Sequence, residues 1–274
     1  MRQKTLNLIY QVKIILNNYN VRITVRQLYY QLVARQIIEN NLNSYKRLDS
    51  ILSDARKNGN LKFNDFVDRV RRPIKTSSWI DLKDFFATVK NSYKRNKWQG
   101  QENYVEVWLE KDALAGVFEP ITRKYDLNLS IGRGYQSLSS LNDAVNRFPI
   151  DKDIRILYFG DFDPTGLDIP RSAEENLNKH FGLYPIFERL ALTEDDIAKY
   201  KLPPAPTKNT DSRAHAFVKE HGNITVELDA LPPDVLTKRI EENIVKNLDM
   251  VQFMQDLNTE KREIEELNKL QFKL

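Results

Sequence analysis

Glu110, Asp161 and Asp163 are residues of this chain whose types and placement could do chemistry together. Asp161 and Asp163 stand two apart in GDFDPTG, and on an extended segment such side chains share a side, before Pro164 and Gly166 turn the chain away. Glu110 closes the apolar run YVEVWL. Converging carboxylates are costly unless a cation is present, and hard oxygen ligands without His or Cys suit Mg²⁺ or Mn²⁺, which would also engage a substrate phosphate. The competing reading is structural, because Asp-Pro-x-Gly is an ordinary turn and acids at strand ends cap helices. A second centre is Tyr30, next to Arg26 in RQLYY. A phenol beside a guanidinium can attack a phosphate that the cation holds, and the alternative is a plain surface or interface tyrosine.

The acids need a scaffold, and the sequence around them supplies one. Apolar runs at 104–109 and 154–159 read as buried strands ending at Glu110 and before Asp161. A short strand in NLSI, a glycine turn at Gly132 and Gly134, and a fourth strand in YPIFERLAL complete the set. Helical patterns lie between, one interrupted by Pro120 and one starting about Asp168. This β-α-β-α-β-α-β order predicts a parallel sheet with right-handed crossovers, whose ligand site lies off the carboxyl ends of the strands.

Tyr30 belongs to a different kind of element. Apolar spacing predicts a helix up to about Asn18, a second helix opened by a Thr24/Gln27 capping box, and a third from Ser44 to Lys57 that stops near Gly59. With LKFNDFVDRVRRP as a strand pair behind them, these read as a winged helix-turn-helix. The third helix would present Lys46, Arg47, Arg56 and Lys57 to DNA phosphates, and the wing Arg69, Arg71 and Arg72; a plain protein-interaction module is the alternative. At about 100° per residue, Tyr29 falls in the stripe of Val25, Leu28 and Leu32, whereas Tyr30 sits roughly 135° from its centre, towards solvent or substrate.

Charge divides the chain where the elements do. Residues 1–100 carry 20 Lys and Arg against 7 Asp and Glu, a net +13, and the remainder carries 22 against 31, a net −9. A basic part suits a polyanion and an acidic part suits a cation, so two domains are expected, 1–100 and 101–274, joined through a linker at about 75–103. There is no cysteine and there are three histidines, which excludes disulfides, Cys-based zinc fingers and a thiol nucleophile. No apolar run approaches a membrane span and no signal peptide is evident, so a cytoplasmic protein is expected. Beyond the fourth strand lie a Pro-rich loop with Lys208 and Arg213, a short strand in ITVE, helices from Pro233 and an amphipathic tail. Glu227 and Asp229 read as a structural strand end, with support for the metal acids as the alternative.

VWLEKDAL, the GRGY turn at 132–135 and GDFDPTGLDI, preceded by RQLYY, resemble the DNA topoisomerase VI A subunit and its relative, the meiotic double-strand-break transesterase. The likeness spans most of residues 20–190. It implies a winged helix followed by a Toprim domain with a helical extension, in which Glu110, Asp161 and Asp163 hold Mg²⁺. It also implies that Tyr30 attacks a phosphodiester of double-stranded DNA, leaving a 5′-phosphotyrosyl end, with Arg26 as its motif partner. The implied assembly is a homodimer whose active sites are shared between protomers. The chain departs from the family where Gly-Tyr-Gln-Ser replaces Gly-Tyr-Pro-Asp. It carries no phosphate-binding Gly-x-x-x-x-Gly-Lys-Ser/Thr loop, so ATP-driven strand passage would need a separate B-type ATPase subunit. Two alternatives use the same residues differently: a hydrolytic Toprim nuclease in which Tyr30 is structural, and a DNA-binding regulator with an inactive Toprim half.

Overall fold

The computed structural model describes residues 3–19, 22–66, 76–132, 134–207 and 211–271, the side chains of 270 and 271 excepted. Helices α1 (Gln3–Asn17), α2 (Val25–Ala34) and α3 (Leu42–Lys57) pack together through Ile9, Val12, Leu28, Leu32, Leu48 and Leu52. Thr24 and Gln27 make the expected reciprocal cap of α2. α3 starts earlier than Ser44, because the Asn41 side chain accepts the Ser44 amide at 2.8 Å and caps it. Gly59, at φ +73°, follows its end. Behind the three helices, one parallel bridge joins Ile23 to Phe66. The first part of the expected strand pair is instead a 3₁₀ turn, Phe63–Asp65, and the rest falls on residues 67–73, so Arg69, Arg71 and Arg72 lie outside the described residues. The expected linker contains a helix, α4 (Leu82–Ser92), capped by Asp81.

Four strands, β1 (Asn103–Leu109), β2 (Asn128–Ile131), β3 (Asp153–Phe159) and β4 (Ile186–Ala191), form a sheet in the order β2-β1-β3-β4. All three pairings are parallel. A central parallel strand needs both faces apolar, and β1 and β3 supply them by alternation. Val105, Val107, Leu157 and Phe159 enter one core, whereas Trp108, Ile154, Ile156 and Tyr158 enter another. Between the strands run α5 (Ala115–Lys124), α6 (Leu138–Val145) and α7 (Pro164–Phe181), followed by α8 (Glu194–Tyr200), α9 (Ala214–His221), α10 (Pro233–Lys246) and α11 (Met250–Gln271). α5 and α10 supply the first core, and α6 and α7 the second.

Several boundaries differ from the sequence pattern. α5 continues through Pro120. α7 begins at Pro164 rather than Asp168, because Asp163 accepts the Gly166 amide at 2.6 Å and proline is well placed in a first helical turn. The ITVE segment forms isolated bridges, Val226 to Phe162 and Thr225 to Ala205, in place of a strand. The tail helix α11 packs on its own chain, where Arg95 pairs with Asp256 at 2.8 Å and with Glu263 at 3.1 Å, and buried Lys97 pairs with Glu260. Apolar packing does not break at residue 100, since one cluster runs from α1–α3 through β1, β3 and α5 to α10. No described helix is long and apolar enough to cross a membrane.

Candidate active site

The chain leaves β1 for β2 on one side of the sheet and leaves β3 for β4 on the other, so the strand order reverses between β1 and β3. Such a reversal opens a crevice off the carboxyl ends of the two strands. Glu110 and Lys111 follow β1 there, and Gly160, Asp161 and Asp163 follow β3. A cleft of about 710 Å³ includes Arg26, Tyr30, Lys111, Asp161, Asp163, Arg213 and Glu227 in its wall.

The acid loop is built around close approaches. Glu110 Oε2 accepts the Asp161 amide at 2.9 Å and the Tyr158 hydroxyl at 3.3 Å. A side chain at Gly160 would overlap that hydroxyl and the Glu110 carboxylate, and one at Gly166 would overlap the Asp161 carbonyl, so both positions require glycine. Half-buried Arg189 closes the loop from below, donating to the carbonyls of Gly160 at 3.2 Å, Gly166 at 2.7 Å, Leu192 at 3.1 Å and also Asp161. Burial, reinforced by the Asp161 charge, raises the Glu110 pKa to about 7. Burial likewise raises Asp161 to about 6, against the opposing pull of Lys111 and of the Leu228 amide.

Facing the loop is a network of charges that the sequence pattern had not joined. Lys111 Nζ lies 3.1 Å from Asp161 Oδ2, 2.8 Å from Glu227 Oε2 and 3.1 Å from Asp229 Oδ2. Arg26 binds Glu227 at 2.5 Å and approaches Asp229 at 3.6 Å. Burial disfavours the Lys111 charge, but Asp229, Asp161 and Glu227 together outweigh it and raise its pKa. Burial would likewise raise Glu227, but Lys111, Tyr30 and Arg26 hold it down at about 2. On the cleft rim, Arg213 binds Asp168 and Asp211, each at 2.9 Å, and Tyr135 donates to Asp168 at 2.5 Å.

Tyr30 differs from its expected exposure. It lines the cleft, yet it is only 8% exposed. Its ring packs edge-on against Tyr29 at 5.1 Å, under the Arg26 guanidinium at 5.8 Å, and its hydroxyl interacts with Glu227. The reason is a second contact surface: α2 packs on α1 and α3 and also docks on residues 112–114 and 228–230, so every residue from 27 to 33 is buried. A helical wheel finds one apolar face and cannot see a partner on the other. Burial first, and then Glu227, raise the Tyr30 pKa above that of an ordinary phenol, with Arg26 and Lys111 pulling the other way.

Of the residues singled out by sequence, Tyr30, Arg26, Asp161 and Asp163 share the cleft wall within one chain, and Glu110 stands behind Asp161. Asp163 serves as the α7 cap. Among the described residues, no three acidic or imidazole side chains form a ready-made metal cage. Lys46, Arg47 and Lys57 are exposed on α3, away from the cleft wall. Arg56 is half-buried, over the Phe66 ring at 5.4 Å, and donates to the Leu52 carbonyl at 3.2 Å. Lys111, Arg189, Asp229 and Glu227 were missed as site residues or read as structural; the sequence signal for Lys111 was its place directly after Glu110.

No family model matches this chain. A probable mitochondrial isoleucine–tRNA ligase of Dictyostelium discoideum is similar at 28% identity over 151 residues, which is 53% of this chain and 13% of that protein. At that identity and span the similarity assigns no family.

Proposed function

We propose that this chain is a Mg²⁺- or Mn²⁺-dependent enzyme that cleaves double-stranded DNA by transesterification, with Tyr30 as the nucleophile. The observation that carries this reading is the convergence of Tyr30 and Arg26, from the amino-terminal helices, with Asp161, Asp163 and Lys111 in one cleft at the reversal point of the sheet. A winged-helix reading of α1–α3 and a Toprim reading of the sheet follow from it. The three-helix packing and the Ile23–Phe66 bridge support the first, and the parallel sheet with acids after β1 and β3 supports the second.

Glu110, Asp161 and Asp163 fit a divalent cation on two grounds. Mg²⁺ is commonly held by one or two carboxylates together with substrate phosphates rather than by a full protein cage. Glu110 and Asp161 are desolvated carboxylates that a cation would keep ionised. When bound, the cation would neutralise charge on the phosphate and on the leaving oxygen. The chain's own residues do the rest. Arg26 and Lys111 draw the phosphate towards Tyr30; the Tyr30 oxygen bonds to phosphorus as the bond to the 3′ oxygen breaks; the phenolic proton leaves into the cleft that Tyr30 lines, and the departing 3′ oxygen takes one up. Lys46, Arg47 and Lys57 would hold the flanking duplex. The reading carries a homodimer, with each Tyr30 facing the acids of its own chain rather than those of its partner, and a separate ATPase subunit where strand passage is required.

A second reading, hydrolysis with Tyr30 structural, is favoured by the burial and raised pKa of that phenol. One experiment separates the two. The protein is incubated with supercoiled plasmid and Mg²⁺ or Mn²⁺, stopped with detergent and run with and without protease, beside Tyr30→Phe and Asp161→Ala. Transesterification predicts cut DNA that enters the gel only after protease and disappears in both variants. Cutting that ignores protease and survives Tyr30→Phe assigns hydrolysis, and salt-sensitive binding without cutting assigns the regulator.

A further inference from the structure

Lys111 occupies a particular oxygen. Asp161 Oδ1 accepts the Leu228 amide at 2.8 Å, and the remaining oxygen, Oδ2, faces Lys111 Nζ at 3.1 Å. The same ammonium reaches Glu227 at 2.8 Å and Asp229 at 3.1 Å, so a single positive charge sits among three carboxylates. The Asp229 side chain has no exposure, and neither of its oxygens has an aligned hydrogen-bond donor among the described residues. A buried carboxylate held by charge alone is satisfied only while a cation stays beside it.

We propose that Lys111 is a built-in stand-in for the divalent cation, and that metal binding at Asp161 and withdrawal of the Lys111 ammonium from Asp161 Oδ2 are one coupled exchange. The inference rests on the metal reading of Asp161 given above. A divalent ion and an ammonium cannot both lie against one carboxylate oxygen, because at such distances their repulsion is large even with protein screening. Glu227 and Asp229 give the displaced ammonium somewhere to stay. They lie on the Arg26 side of Lys111, so the exchange moves positive charge towards Tyr30 as the cation enters. The Asp161 carboxylate thus has a cation against it when the site is empty, and the ammonium moves towards Tyr30 when the site is loaded.

The test is a Mn²⁺ titration of the full chain without DNA, following the signal of free Mn²⁺, in wild type, Asp161→Asn, Lys111→Met and Lys111→Met/Asp161→Asn. The exchange predicts that Lys111→Met binds Mn²⁺ about ten-fold tighter or more, and that Asp161→Asn removes the gain. Because Lys111→Met leaves Asp229 buried without its ammonium and can unfold the chain, Lys111→Met/Asp229→Asn is titrated against Asp229→Asn alone and must show the same gain. Mn²⁺ binding that depends on Asp161 in wild type but is unchanged or weaker in both Lys111 variants overturns the exchange and leaves the metal reading standing. Absence of Asp161-dependent binding in wild type and in both Lys111 variants overturns the metal reading and the exchange with it. Binding that emerges only when Lys111 is removed supports the exchange in its strongest form.

Discussion

Two carboxyls of the cleft region respond to pH in a direction set by their surroundings. Glu110 is raised from its ordinary 4.5 to about 7, so the folded chain prefers it protonated. Its contribution to stability is full below about pH 4.5 and is lost as pH rises through about 7. Thermal melts of the metal-free protein should therefore fall from pH 5 to pH 7.5 by more than those of Glu110→Gln. Mn²⁺ affinity should rise over the same window, since Glu110 as the proposed ligand must shed its proton. Glu227 has the opposite sign: held at about 2, it stabilises the fold above its ordinary 4.5, and that contribution disappears only as pH falls through about 2. Gly160 makes a sterically sharper prediction. Gly160→Ala places a methyl group against the Tyr158 hydroxyl and the Glu110 carboxylate, and should abolish Mn²⁺ binding while circular dichroism still reports the sheet.

Among the elements, α2 ties Tyr30 to the acids. Leu28 and Leu32 are fully buried, and truncating either to alanine should cost about 2–5 kcal/mol in denaturant titrations. Thr24→Ala, which removes one cap, should cost about 1 kcal/mol. How much of this was legible in the sequence follows from the range of each interaction. The Thr24/Gln27 cap, the apolar strand runs and the strand-end acids are set by neighbours in the chain, and they stand where the pattern puts them. The pairing of Lys111 with Glu227 spans 116 residues and joins two segments with no shared pattern, so neither the network nor the burial of Tyr30 could be read in advance. Asp163 was legible as an acid facing the crevice but not as the cap that starts α7 at Pro164, because the turn motif and the cap use the same residues. Residues 224–227 read as a strand because their alternation is local; their partners, Ala205 and Phe162, are single residues rather than a strand edge.

At the scale of the molecule, the basic first hundred residues and the acidic remainder would act in opposite directions on the DNA of the proposed reaction. Binding to duplex DNA should weaken steeply with salt, and neutralising Lys46, Arg47 and Lys57 together should flatten that slope by roughly three released counterions without altering Mn²⁺ affinity. The ion pairs between residues 95–97 and α11 hold the carboxyl-terminal helix onto the segment that connects the two parts. Removing Lys97 alone leaves buried Glu260 with only the Arg95 amide at 2.8 Å and the Lys94 ammonium at 3.7 Å, so Lys97→Met should destabilise more than the paired Lys97→Met/Glu260→Gln. The apolar cluster that crosses residue 100 without a gap has a consequence for how the chain can be taken apart. Neither part is a portable module: calorimetry should record one melting transition for both, and each fragment expressed alone should expose the other's half of the interior and be soluble only when the two are made together.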